Sequence, residues 1–222
     1  QYIDSEKSNV LLLDQKGMKD SHNKPCGGLL SDDAQKELAK LGLCLPKDVL
    51  VDPQIFYVHT FDMQTQQQRN YLRHYLNLDR NRFDEWLAHK IPNTVSKIDG
   101  RVLSISEDKE GHVINYQDTN GNLLQVQGKY VVGADGANSV VRKFLNKHIP
   151  ARVSIQEWYE GGKEEIYSCL YDAKTSDSCS WLISKDGYFI FGGAYPLADA
   201  RNHFLKQKEN LRGRGFQFNK VI

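Results

Sequence analysis

Residues 130–142 (YVVGADGANSVVR) constrain this chain most, because a short apolar run enters a turn of small residues with a helical pattern directly behind it. Residues 130–132 are expected to form a fully apolar strand. Residues 137–146 are expected to form a helix with Val140, Val141, Phe144 and Leu145 on its apolar face. Small residues at such a junction let the backbone approach a ligand closely, and the helix start presents unpaired N–H groups and the positive end of a dipole. Asp135 in that turn can hold a sugar or ribityl hydroxyl while the N–H groups face a phosphate. By itself, Gly133-Ala134-Asp135-Gly136 carries equal weight as an ordinary strand–helix connection.

The surrounding pattern alternates between two textures. Residues 9–14 (NVLLLD) read as a short buried strand ending on an acidic side chain. Ser31 reads as an N-cap followed by Asp32 and Asp33, with Ala34, Leu38 and Leu41 on one face and Gly42 closing the helix. Residues 54–62 look like a strand, and the polar run 65–76 is expected to be helical. Asp79 reads as a second N-cap, opening a helix with Phe83, Trp86, Leu87 and Ile91 on one face that ends at Pro92. From Arg101 the period becomes two, over 102–106, 112–116 and 123–127, with Asn120-Gly121 as a hairpin turn. After Pro150, strands are expected at 153–158, 167–171, 180–183 and 188–192, followed by a charged amphipathic helix over 200–212.

Composition removes several classes. Lys plus Arg is 29 and Asp plus Glu is 28, a net charge of +1, which leaves no electrostatic footprint for nucleic acid. No apolar run approaches the roughly 20 residues of a membrane span, and no signal peptide is readable. The four cysteines, Cys26, Cys44, Cys169 and Cys179, are scattered without C-x-x-C spacing. This disfavours zinc, any other metal site and a disulfide framework, and the reading is a reduced, cytoplasmic chain. The sequence opens on Gln1 rather than Met, so an internal piece of a longer protein is expected.

Taken whole, the 130–142 string resembles the second cofactor motif of the flavoprotein hydroxylases and their relatives, which include p-hydroxybenzoate hydroxylase, the flavin halogenases and the geranylgeranyl reductases. The resemblance places Asp135 and Gly136 against the flavin side of FAD. Two further stretches are similar to the geranylgeranyl reductase branch in particular. Residues 79–87 (DRNRFDEWL) resemble its D-R-x-x-F-D-x-W-L helix, which implies that Arg80 lies against FAD. Lys24-Pro25-Cys26-Gly27-Gly28 resembles its C-G-G turn beside the isoalloxazine and substrate, which makes Cys26 the catalytic candidate and Gly27 and Gly28 cofactor contacts. Without the resemblance, a cysteine before two glycines is more often a turn residue.

Asp14 is the candidate for the adenosine ribose. The acidic residue of a dinucleotide fold lies roughly 20 residues after the glycine fingerprint. Counting back from Asp14 puts that fingerprint before Gln1, and no G-x-G-x-x-G occurs in the 222 residues. A solvated strand end is the equally weighted alternative for Asp14. Val102 matches the family position whose backbone meets the adenine. Residues 180–187 (SWLISKDG) resemble the Y-x-W-x-F-P-x-G strand lining the lipid cavity of archaeal geranylgeranyl reductases, making Trp181 a substrate-binding candidate. The match departs at Cys179, Ile183 and Ser184, and Trp181 alone reads more readily as core.

The resemblance implies an incomplete Rossmann-like α/β FAD-binding domain over 1–50 and 79–150. It adds a mostly antiparallel α+β substrate domain over 51–78 and 151–222. It implies an FAD-dependent oxidoreductase that reduces carbon–carbon double bonds of an isoprenoid or similar apolar substrate by hydride transfer from reduced flavin, with NAD(P)H as a candidate electron donor. The alternatives are a monooxygenase or halogenase on the same scaffold, and a fragment unable to hold FAD. A small or lipid-like substrate is the expected partner; peripheral membrane contact and oligomeric state stay open.

Overall fold

Ser31 caps the first helix as its sequence suggests: its hydroxyl accepts from the Ala34 N–H at 3.4 Å, and α1 runs Asp32–Lys40 with Asp32 and Asp33 in its first turn. The computed structural model describes residues 4, 6–15, 26–147, 149, 152–161, 167–176, 178–219 and 221. Gln1, and Lys24 and Pro25 of the 24–28 turn, lie outside the described residues. The fold is mixed α/β and divides into two units, 1–24 with 88–150 and 25–87 with 151–222.

The first unit holds a four-stranded sheet of β1 (Leu11–Asp14), β5 (Ser96–Asp108), β6 (Gly111–Asp118) and β7 (Leu123–Gly128), in that order. β1 pairs parallel to β5, and β5, β6 and β7 form an antiparallel meander. The Asn120-Gly121 turn lies where the sequence puts it: Gly121 has φ +87°, and the Asp118 carboxylate accepts from the Asn120 and Asn122 N–H groups. Ile114 and Tyr116 of β6 are the buried apolar residues. The α3 helix (Val140–Phe144) packs on β5.

Two expectations fail here. Residues 130–132 are not a strand and do not share a parallel sheet with residues 10–13. No described strand pairs with them, so the run stays irregular, with Tyr130 82 % and Val132 77 % exposed. Apolar composition favours a strand only where a neighbour can take up the backbone hydrogen bonds. The helix behind the turn is also shorter than 137–146, because Ser139 is its N-cap, accepting from the Arg142 N–H at 2.9 Å.

The second unit holds a seven-stranded sheet in the order β2-β4-β3-β9-β10-β11-β8. Its strands are β2 (Leu29–Leu30), β3 (Ile55–Asp62), β4 (Gln68–Asn77), β8 (Arg152–Glu160), β9 (Tyr167–Tyr171), β10 (Cys179–Lys185) and β11 (Tyr188–Pro196). All neighbours are antiparallel except β3 and β9. The expected helix over 65–76 is therefore β4. Asp62 accepts from the Gln64 and Thr65 N–H groups at 2.8 Å each and Gln66 has φ +63°, which turns the chain back along β3. The polar run has no apolar helical face to bury, so pairing with β3 and β2 decides its state.

Period two sorts the apolar residues of this sheet onto opposite faces. Leu182, Phe189 and Phe191 join Phe61, Leu170 and Tyr195 under α4 (Ala200–Arg212), where Phe191 and Phe204 stack at 5.1 Å. Ile183 and Ile190 point the other way with Ile55, against Leu29, Tyr75, Trp158, Tyr167 and Trp181. Among the described residues, no helix is long and apolar enough to cross a membrane.

Candidate functional site

The α2 helix (Arg80–Ala88) starts where Asp79 accepts from the Asn81 and Arg82 N–H groups at 2.8 and 3.1 Å. This brings Arg80 to the 26–28 turn. Arg80 Nη1 lies 4.0 Å from Cys26 Sγ, and Arg80 Nε donates to Asp84 Oδ1 at 2.7 Å, which fixes the guanidinium one helical turn from its base. Cys26 is half-buried and its sulfur accepts from the Gly28 N–H at 3.3 Å. Of the residues singled out in the sequence, the fold thus assembles Cys26, Gly27, Gly28 and Arg80 in one unit.

Neighbouring protein atoms supply the reason for both glycines. A Cβ on Gly27 would stand 2.7 Å from Ile183 Cδ1. Gly28 has φ +64°, and a Cβ there would meet the Leu78 carbonyl oxygen at 2.2 Å and Lys185 Nζ at 2.4 Å. Only glycine satisfies that backbone angle and that approach together.

Lys185 is the residue that sequence reasoning missed. It is 4 % exposed, and its Nζ donates to the Leu78 carbonyl at 2.5 Å. Burial pushes its ammonium down to about 8, and Cys26, Asp79 and Asp186 offset that in part. Part of the signal lay in the Asp186-Gly187 pair, a two-residue hairpin sequence whose residues both have positive φ between β10 and β11. Period two from Trp181 through Ile183 then places Lys185 on the same face of β10.

That face is aromatic. Tyr75 and Tyr167 meet edge to face at 5.6 Å. The Trp181 indole covers Gly192, where a Cβ would come within 2.6 Å of Nε1, and Nε1 donates to Gln156 Oε1 at 3.2 Å. Gln156 Nε2 is buried without a protein partner. Trp181 is half-buried and packs against the cluster of Ile55, Ile183 and Ile190.

The other sequence candidates lie in the first unit. Asp14 ends β1 opposite Asp99, and Val102 faces Tyr116 just before an irregularity in β5. Asp135 and Gly136 sit in an exposed turn, Gly136 with φ +74°. The Asp135 carboxylate accepts from the Ser139 hydroxyl and the Val140 N–H at 2.5 Å each, and from the Val141 N–H at 3.3 Å. Desolvation works to raise its pKa, yet those hydrogen bonds hold the carboxyl below the ordinary carboxylate range. Much of its acceptor capacity therefore serves α3. Beside it lies an open depression of about 640 Å³ lined by residues that include Val132, Gly133, Asp135, Gly136 and Arg142.

The mixed α/β fold is of a kind that comparison with known proteins places. The chain belongs to the FAD binding domain family, whose profile matches residues 49–185. Protein CbrA from Escherichia coli is 44 % identical over 223 residues, covering 97 % of this chain and 62 % of CbrA, so the chain spans about three-fifths of that relative's length. Among solved structures, the fold is similar to a geranylgeranyl bacteriochlorophyll reductase-like protein from Thermoplasma acidophilum, with TM-score 0.75 and 14 % identity, over 96 % of this chain and 59 % of that one. It is also similar to p-nitrophenol 4-monooxygenase PnpA from Pseudomonas putida, with TM-score 0.65 and 13 % identity, over 95 % of this chain and 56 % of that one. The residues that would meet a flavin dinucleotide here are those of the exposed 133–137 turn beside the depression, where α3 holds the Asp135 carboxylate in place and the Gly136 and Ala137 carbonyls hold the Arg142 guanidinium.

Proposed function

We propose that the complete protein is an FAD-dependent oxidoreductase of the geranylgeranyl reductase-like branch, reducing a carbon–carbon double bond of an isoprenoid or comparably apolar substrate. The observation that carries this reading is the meeting of Cys26, Arg80 and Lys185 beside the aromatic face of Tyr75, Tyr167 and Trp181. A largely apolar wall with few polar groups at one edge suits an apolar ligand. FAD, when bound, supplies the two-electron chemistry, with NAD(P)H as the proposed donor. Arg80, braced by Asp84, would anchor cofactor charge, and Asp135 with Gly136 would hold its polyol or phosphate portion. Asp14 and the Val102 backbone are proposed for the adenosine portion. Cys26 would shape the reaction side, Gly27 and Gly28 would hold the turn tight, and Trp181 would form substrate wall. Lys185 Nζ, pushed down to about 8 by burial, can hold a proton and release it near that pH.

An oxygen-using monooxygenase is the alternative, motivated by the likeness to PnpA. Purified full-length protein should be yellow, and its flavin identifiable by absorbance and mass. Anaerobic turnover of a polyprenyl substrate supports the reductase, whereas NAD(P)H-dependent oxygen consumption supports the monooxygenase. A colourless preparation that takes up no added FAD would overturn both.

Three substitutions test the residues. Asp135→Ala should weaken FAD retention by about 1.5–3 kcal/mol, the worth of a hydrogen bond to a charged group. Flavin content unchanged in both Arg80→Ala and Asp135→Ala would remove these residues from the cofactor site. Cys26→Ser is nearly isosteric and should lower turnover in the full-length enzyme while fold and flavin content persist. The exposed Cys44 serves as the control. Equal rates for wild type and Cys26→Ser would leave Cys26 as a turn residue.

A further inference from the structure

Pairing of β9 with β10 sets Cys169 opposite Trp181 and Cys179 opposite Tyr171, so the two cysteines are diagonal neighbours on one face of the sheet. Both are half-buried and free. The protonation of each thiol is set first by the other, and Cys169 Sγ donates to the Tyr167 hydroxyl at 3.4 Å. Cys26 sits elsewhere in the fold, in the turn beside Arg80, and Cys44 is exposed in the loop after α1.

We propose that Cys169 and Cys179 form a dithiol modification site that reacts with small disulfides and closes reversibly into a cross-strand disulfide. The Cys179 thiolate attacks one sulfur of the small disulfide, forming a mixed disulfide and releasing one thiol. Cys169 then gives up its proton and attacks the Cys179 sulfur, expelling the second thiol. The protein pair loses two electrons and two protons, and the small disulfide gains both. Cys179 suits the first role: the neighbouring Cys169 and its own backbone N–H hold its thiol below the ordinary thiol range, while the same pairing pushes Cys169 up.

Geometry argues for a labile bond rather than a permanent staple. Diagonal strand neighbours stand about 7–8 Å apart at Cα, beyond the roughly 4.4–6.8 Å of an unstrained disulfide. Closure therefore requires the strands to shift. Cys179 is the first residue of β10 and pairs with Tyr171 at the last register position of β9 with β10, so the shift falls at that end of the pair. A strained disulfide is readily reduced. The proposal needs no cofactor, and its test reads thiols rather than turnover, although Cys169 lies beside Tyr167 and opposite Trp181 of the proposed substrate wall.

The test is native incubation of the purified chain with oxidised glutathione, alkylation of the remaining thiols, and peptide mapping by mass spectrometry. Two of the four thiols should be lost, with Cys169 and Cys179 joined, and both should return with excess dithiothreitol. Cys169→Ser should retain a glutathione adduct on Cys179. Four thiols still alkylated, a lasting glutathione adduct on wild-type Cys179, or a link made by Cys26 or Cys44 would each overturn the proposal. The wild-type map decides even where the serine variant does not fold.

Discussion

Gly28→Ala is expected to destabilise the fold by about 2–5 kcal/mol, combining roughly 1–2 kcal/mol for a left-handed backbone with about 1–3 kcal/mol for overpacking. The new Cβ would collide with the Leu78 carbonyl and Lys185 Nζ, both already engaged with each other. Moving the turn away would also stretch the 2.8 Å hydrogen bond from the Leu78 N–H to the Gly28 carbonyl. Gly42→Ala provides the internal control: Gly42 has φ +66° but no atom within 4 Å of its added Cβ, so only the backbone cost should appear. Urea unfolding of both variants measures the difference. Equal losses would mean that close approach at Gly28 contributes nothing.

The second large effect is a pH dependence carried by Lys185. Its proton is held less tightly in the native state, at about 8, than in the unfolded chain at 10.5. Below about pH 8 both states are protonated and the cost of burying the ammonium is fully present. Between the two values the unfolded state binds more protons, so stability rises with pH. The linkage amounts to about 2 kcal/mol from about pH 7 to about pH 9.5. In Lys185→Met that rise should disappear, so the stability of wild type relative to the variant should climb by this amount. Comparing the two proteins in urea cancels the other titrating groups. Parallel pH profiles would show that Lys185 keeps an ordinary pKa.

Both predictions rest on a cluster that was only half legible. The Cys26 turn and Arg80 came from short motifs, whose glycines and helix start carry their own local geometry. Lys185 did not, because a lysine in a strand is ordinarily solvated; only the depth of β10 in a seven-stranded sheet makes it a buried cation. The adjacency of Cys169 and Cys179 was likewise invisible, since the register of β9 against β10 is a property of pairing, not of spacing along the chain.

What the sequence by itself determined is local. Ser31 and Asp79 cap their helices with their own side chains, and Asn120-Gly121 makes its turn, because those interactions reach only a few residues along the chain. Period two also marked β5, β6 and β7, which pair as the antiparallel meander. Tertiary structure decided β4 and residues 130–132, in opposite directions. A polar run became a strand because β3 and β2 offered it hydrogen bonds on both sides, and an apolar run did not because no described strand offered it any. It also decided the work of the two glycines and of Asp135, which answer first to neighbouring protein atoms that only folding brings within reach.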